Sequence, residues 1–268
     1  MTDIHLATID TRHLVTPAGL SLEYDRFGTG PPLVLVHGSF FNQRTNWQLV
    51  APQLAEHFTV YALARRGRGK SAATEGHSMQ DEAEDVAALI DAIDDPVHLL
   101  GHSFGAQVAL AAAALVPGQI VKLVLYEPPL PGILSQTILS ALEEHANARD
   151  WEGFTASFLR QVVSVTEDEL SAFRASPVWP HLVADAPATQ REFPALLAYD
   201  FDPARFAALA MPVMLQVGTE TQGAYWATDA LAAVLPDARI ARLPGQGHDA
   251  MFTAPDLYAR QVIEFLRG

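Results

Sequence analysis

Gly101-His102-Ser103-Phe104-Gly105 is the stretch on which the reading of this chain turns. It follows the apolar run Val97-His98-Leu99-Leu100 and precedes an alanine-rich run from Gln107 to Val116. A strand that passes straight into a helix brings two backbones together, and side chains two residues either side of the central serine would clash. Glycine at 101 and 105 removes both. In this strand–turn–helix setting a G-x-S-x-G element holds its serine in a strained turn, with the hydroxyl exposed above a helix N-terminus. A nucleophilic Ser103 is therefore the first expectation, and hydrolysis the leading chemistry.

Outward from the pentapeptide, strands and helices alternate, which predicts a mostly parallel sheet covered on both faces. Leu20 to Tyr24 alternates as a half-exposed strand of an N-terminal hairpin, and Leu33 to Val36 reads as a strand buried on both faces. Trp47 to His57 reads as a helix, Thr59 to Leu63 as a strand, and Ser78 to Ile93 as an amphipathic helix capped by Ser78. Val121 to Tyr126, Met211 to Val217 and Ala238 to Leu243 read as further strands, with a closing helix from Pro255 to Leu266. Between Pro128 and Pro203 only short helical segments punctuated by prolines are expected. That divides the chain into a core of residues 1–128 and 204–268 and a helical lid of residues 129–203, set over the strand ends where α/β sheets place their ligands.

Composition narrows the classes of function. The chain has 268 residues, 49% of them hydrophobic, enough for one large α/β domain. A net charge of −14 repels phosphate backbones and anionic lipid, so neither nucleic acid nor membrane is an expected partner. The absence of cysteine excludes disulfide scaffolds and a cysteine nucleophile and fits a cytoplasmic location. Met1 to Thr11 lacks the apolar stretch of a signal peptide, and a monomer or homodimer is expected. No histidines stand at metal-ligand spacing, so no metal site is expected.

A serine hydroxyl needs a base, and the base needs a group to orient it. His248, in Gly245-Gln246-Gly247-His248-Asp249, follows the last strand and is the candidate base. His102 is expected to point away from the reacting side, and Asp249 to act as a loop cap. The oxyanion requires two preorganised N–H donors. Phe104 supplies one from the helix N-terminus, and Ser39, in His37-Gly38-Ser39-Phe40-Phe41, is positioned to supply the other. The basic loop Arg65 to Lys70 lacks P-loop spacing and reads as a structural turn.

The His37-Gly38 turn, Arg66-Gly67-Arg68-Gly69-Lys70-Ser71, the serine pentapeptide and Gly247-His248 resemble, in order, four landmarks of the α/β-hydrolase superfamily. The resemblance implies an α/β-hydrolase fold: a mostly parallel eight-stranded sheet with helices on both faces, a helical lid insertion, a Ser–His–acid triad and no cofactor. Serine at the elbow separates the chain from haloalkane dehalogenases and epoxide hydrolases, which carry aspartate there. It departs from the common pattern at the acid. Where many relatives have aspartate, Gly218-Thr219-Glu220-Thr221 offers threonine, which cannot hold charge against an imidazolium. Two candidates stand in its place: Glu127, after Leu125-Tyr126, and Glu220 as the alternative acid. Zearalenone-lactonase-like enzymes are similar in carrying a triad glutamate at the end of the Glu127 strand, and Glu127 is favoured.

Phe40, Phe41, Trp151, Phe154, Phe158 and Trp179 are expected to border the site, which favours a small-molecule ester or lactone with an apolar or aromatic acyl part over a charged one. The motif equally serves C–C bond hydrolysis, cofactor-free perhydrolysis or haloperoxidase chemistry and hydroxynitrile cleavage. A non-catalytic ligand receptor on the same fold is the alternative from a different class.

Overall fold

A computed structural model describes residues 9–74, 76–221 and 226–268. Residues 1–8, on which most of the N-terminal expectation fell, lie outside them.

Eight strands make one sheet: β1 (Asp10–Val15), β2 (Ser21–Gly28), β3 (Pro32–Val36), β4 (Thr59–Leu63), β5 (Val97–His102), β6 (Ile120–Tyr126), β7 (Val213–Gly218) and β8 (Ala238–Leu243). Their order is β1-β2-β4-β3-β5-β6-β7-β8. The first two are antiparallel and form the expected hairpin, and β3 through β8 run parallel. Alternate residues of each strand feed opposite faces. Val34, Val36, Leu99, Leu123 and Leu125 pack beneath helices α2 (Met79–Ile93) and α3 (Phe104–Leu115). Leu33, Leu35, Leu100 and Val124 face α1 (Ala51–Ala55) and α11 (Pro255–Arg267). Strands sandwiched in this way can be apolar at every position, which is why β3 shows no alternation.

Ser78 caps α2 through a capping box, its hydroxyl accepting from the Asp81 N–H at 3.2 Å while Asp81 accepts from the Ser78 N–H at 2.7 Å. The helix expected over Trp47 to His57 is α-helical only as α1; Pro52, with no N–H to give, sits in its first turn. Five helices separate β6 from β7: α4 (Gln136–Asn147), α5 (Trp151–Gln161), α6 (Glu167–Ala175), α7 (Trp179–Gln190) and α8 (Phe193–Leu197). They pack over the carboxyl ends of the strands. Short helices α9 (Thr228–Ala232) and α10 (Ala250–Thr253) complete the chain. Among the described residues no helix is long and apolar enough to cross a membrane.

The turn between β5 and α3 explains its glycines. A Cβ on Gly101 would stand 2.4 Å from the Gly105 carbonyl oxygen, and one on Gly105 would stand 2.3 Å from the carbonyl oxygens of both Val36 and His37. The obstructing atoms are buried backbone of α3 and of the end of β3, and cannot yield cheaply. Gly105→Ala is expected to destabilise the fold by about 2–3 kcal/mol, the upper range of overpacking costs. A urea midpoint equal to that of the parent protein would contradict this.

Candidate active site

Ser103 occupies the N-cap position of α3 with φ 55° and ψ −126°, and its side chain caps nothing. Its N–H is tied to the Tyr126 carbonyl at 2.8 Å, so the left-handed turn is held and the hydroxyl is left to the cavity above. Glu127, one residue beyond β6, also has positive φ, 47°, and its side chain is fully buried. Its carboxylate is held on both oxygens. Oε1 accepts the Gly218 N–H at 2.8 Å, and Oε2 stands 2.5 Å from His248 Nδ1. Glu220, by contrast, is exposed and meets the Thr219 hydroxyl at 3.2 Å.

Tyr126 steadies the histidine loop from below. Its hydroxyl donates to the Gly247 carbonyl and accepts from the Ala250 N–H at 3.2 Å, gripping the backbone on either side of His248. Trp226 stacks on the imidazole with ring centroids 4.5 Å apart. His102 does not point away as expected. It lies beneath His248, stacked on Tyr126, and its Nε2–H donates to the His248 carbonyl at 3.2 Å. Burial, and then the neighbouring His248, push its imidazole well below the ordinary value, so it stays neutral. The side chain leaves the last residue of β5 and is held by contacts that turn geometry does not show, with Nδ1 3.1 Å from Asn46 Oδ1 and Nε2 on the His248 carbonyl.

The facing wall is the loop after β3. A Cβ on Gly38 would stand 3.1 Å from the Ser103 Cβ, which sets this loop directly against the elbow. Among the described residues the N–H groups of Ser39 and Phe104 have no hydrogen-bond acceptor, and both residues line the cavity that holds Ser103 and His248. No hydrogen bond joins the Ser103 hydroxyl to His248; a nucleophile and its base commonly tighten their contact only around substrate.

Phe40, Phe41 and Phe158 line the cavity. Trp151, Phe154 and Trp179 do not. Phe154 is fully buried behind the wall, stacked on Phe193, and Trp151 abuts Phe154 edge-on. Trp179 lies under the Arg174 guanidinium. Phe193, Leu182, Ile133 and Trp226 take their places, and Trp226 stood in a loop with no motif to flag it. Asp249 is also corrected. It begins α10 without capping it, and it lines the cavity. Burial, opposed by the His248 charge and reinforced by Glu127, raises its carboxyl above the ordinary range.

The arginines after β4 are turned inward. Arg65 and Arg68 are fully buried, paired with Glu82 and Glu192, and Arg66 pairs with Asp85 at 2.7 Å. The loop is a structural turn whose three arginines are all committed to carboxylates, leaving Lys70 as its one cation exposed to solvent.

A family model described as the alpha/beta hydrolase family matches residues 33–261. The chain belongs to that family. It is 30% identical over 242 residues to the N-formylmaleamate deformylase of Pseudomonas putida, an alignment covering 87% of this chain and 88% of that protein. Among solved structures, an α/β hydrolase from Sphaerobacter thermophilus superposes with a TM-score of 0.82 at 30% identity, covering 95% of this chain and all of that one. The enol-lactonase from Burkholderia xenovorans LB400 shares the fold, with a TM-score of 0.80 at 20% identity over 96% of this chain and 100% of its own.

Burial lowers the His248 imidazole, but the Glu127 hydrogen bond and charge, with the charge of Asp249, outweigh it, so the net direction is upward from 6.5. A base must be neutral, and a raised value means it is lost to protonation sooner as pH falls. The acid limb of kcat/KM against pH is therefore expected above 6.5. Glu127→Gln removes the charge that raises it, so the limb moves to lower pH while kcat falls on the order of 10³–10⁴-fold. Glu220→Gln should leave both in place; the reverse pattern would reassign the acid.

Proposed function

We propose that this α/β hydrolase is a serine hydrolase that cleaves a carboxylic ester or lactone with an apolar or aromatic acyl part, through an acyl-enzyme. The observation that carries the reading is the buried Glu127–His248 contact of 2.5 Å at the edge of a cavity whose floor is Ser103 on its elbow. His248 takes the Ser103 proton as Oγ attacks the carbonyl carbon. The carbonyl oxygen becomes an oxyanion held by the Ser39 and Phe104 N–H groups. The tetrahedral species collapses to a Ser103 ester, and His248 passes its proton to the leaving alkoxide. Water, deprotonated by the same imidazole, then releases the acid by the reverse sequence. Glu127 fixes the imidazole with its Nδ1–H toward the carboxylate, which leaves Nε2 free to accept. The helices of residues 129–203 act as a lid that keeps this chemistry dry.

Apolar side chains dominate the cavity, and among the described residues no Lys or Arg lines it, while Glu192 and Asp249 do. An anionic substrate such as N-formylmaleamate would meet carboxylates with no cation to pair with, so the deformylase relative argues for shared chemistry rather than a shared substrate. That likeness also supports a second reading, hydrolysis of a neutral amide by the same route.

A fluorophosphonate probe is expected to label Ser103, and short or medium p-nitrophenyl esters to be turned over, with both lost in Ser103→Ala. Phosphate monoesters and carboxylate-bearing esters should be poor substrates. Ester turnover persisting in Ser103→Ala, or an unlabelled Ser103, would sink the proposal. Faster turnover of neutral anilides than of matched esters would favour the second reading.

A further inference from the structure

We propose that Thr189 and Glu192, where α7 meets α8, are positioning residues for the oxyanion loop, so that the helical insertion sets the reactivity of Ser103 as well as the shape of its cavity. The inference rests on the reading of Ser39 and Phe104 as oxyanion donors.

The Gly38–Ser39 peptide is pinned by its carbonyl. Gly38 O accepts from His37 Nδ1–H at 2.8 Å and from Arg65 Nη2 at 3.2 Å. In a trans peptide the N–H points opposite to the C=O, so fixing one fixes the other. The Ser39 N–H is thereby turned to the side on which no acceptor meets it among the described residues. The next links run to the insertion. The Ser39 hydroxyl donates to Glu192 Oε2 at 2.6 Å, and the Phe40 N–H donates to Thr189 Oγ1 at 2.9 Å.

Phe40 has φ 61°, a left-handed conformation that a bulky residue keeps only under restraint. The Thr189 hydroxyl supplies that restraint, and the hydroxyl is itself fixed by Arg68 Nη2 at 2.9 Å. Arg68 also donates to Glu192 Oε1 at 2.7 Å, and Arg65 donates to the same oxygen while reaching Glu82 at 3.1 Å. Arg65, Arg68 and Thr189 are fully buried and the Glu192 side chain is 4% exposed. Packing alone would be served as well by apolar side chains, since buried ion pairs often contribute less than apolar replacements. What the polar network adds is direction: the bonds to the Gly38 carbonyl and the Phe40 N–H fix peptide planes next to the elbow, and the side-chain bonds hold those partners in place.

The test compares Thr189→Val, Thr189→Ser and Ser39→Ala with the parent enzyme on a p-nitrophenyl ester. Rates are expressed per Ser103 titrated by fluorophosphonate, which removes any loss due to misfolding. An aryl trifluoromethyl ketone, which adds Ser103 to give a tetrahedral oxyanion, reports the donors directly. Removing a whole oxyanion donor costs about 10²–10³ in kcat, so a misaimed one in Thr189→Val is expected to cost about 10–100-fold, with KM changed less than about threefold. The ketone's inhibition constant should rise in proportion. Thr189→Ser restores the acceptor and should restore kcat. Ser39→Ala keeps the N–H but loses the Glu192 anchor, and a several-fold fall in kcat is expected; it serves alone if Thr189→Val fails to fold. Parental kcat per titrated site in either Thr189→Val or Ser39→Ala, or a loss that Thr189→Ser leaves in place, overturns the positioning role. An unlabelled parent enzyme would instead remove the nucleophile on which that role depends.

Discussion

Three strand ends meet on one buried carboxylate. Glu127 leaves β6, takes the main-chain N–H of Gly218 at the end of β7, and meets His248 in the loop after β8. An ionised carboxylate taken wholly out of water is costly unless both oxygens are satisfied, and removing a partner leaves that cost uncompensated. The loops of β7 and β8 are therefore not free to wander: each supplies a donor that the carboxylate requires. Tyr126, immediately before Glu127, grips the histidine loop on both flanks, so two consecutive residues of one strand end determine where the imidazole stands. The interior parallel sheet makes this possible, because adjacent strands deliver their carboxyl ends to the same edge.

The opposite wall uses another device. There the loop after β3 is held by arginines from the loop after β4 and by residues of the insertion, with side chains as the ties. One wall of the cavity thus belongs to the sheet, and the other is shared between the sheet and the helices above it. A shift of the insertion would disturb the Ser39 side and leave the Glu127–His248 contact untouched.

How far this was legible in the sequence follows from how local each signal is. The Gly101–Gly105 turn, the Ser78 cap and the strands β4 and β8 depend on neighbours within a few residues, and the chain displays them openly. Glu127 could be nominated because it ends an apolar run at the correct edge, though the sequence left Glu220 beside it. Trp226, Tyr126 as a grip on the loop, and Glu192 could not be nominated. Each acts through a contact with a residue far along the chain: Glu192 reaches Ser39 across 153 positions. Nothing in the spacing of either announces the other. The aromatics show the same limit at finer grain. Phe154 and Phe158 share a helix face, as their spacing requires, and both pack against Phe193 and Phe40. One turn of α5 separates a residue that lines the cavity from one sealed behind it. Periodicity gives the face and says nothing of depth.

Charge raises a last constraint. A cavity walled by Glu192 and Asp249, with Glu127 close by, is a poor place for a negative charge to form. In an apolar surround such charges are only weakly screened. Glu192 is paired in place with Arg65 and Arg68, while burial raises the Asp249 carboxyl above its ordinary value. Arg65 is the cation tied to the loop after β3. Its guanidinium donates to the carbonyl of the Gly38–Ser39 peptide and lies 4.7 Å from the Phe104 ring centroid. Polarising a carbonyl strengthens the N–H across the same peptide as a donor. A cation tied to that carbonyl lies outside the cavity lining, so it strengthens the Ser39 N–H as a donor without offering an anion in the cavity a partner.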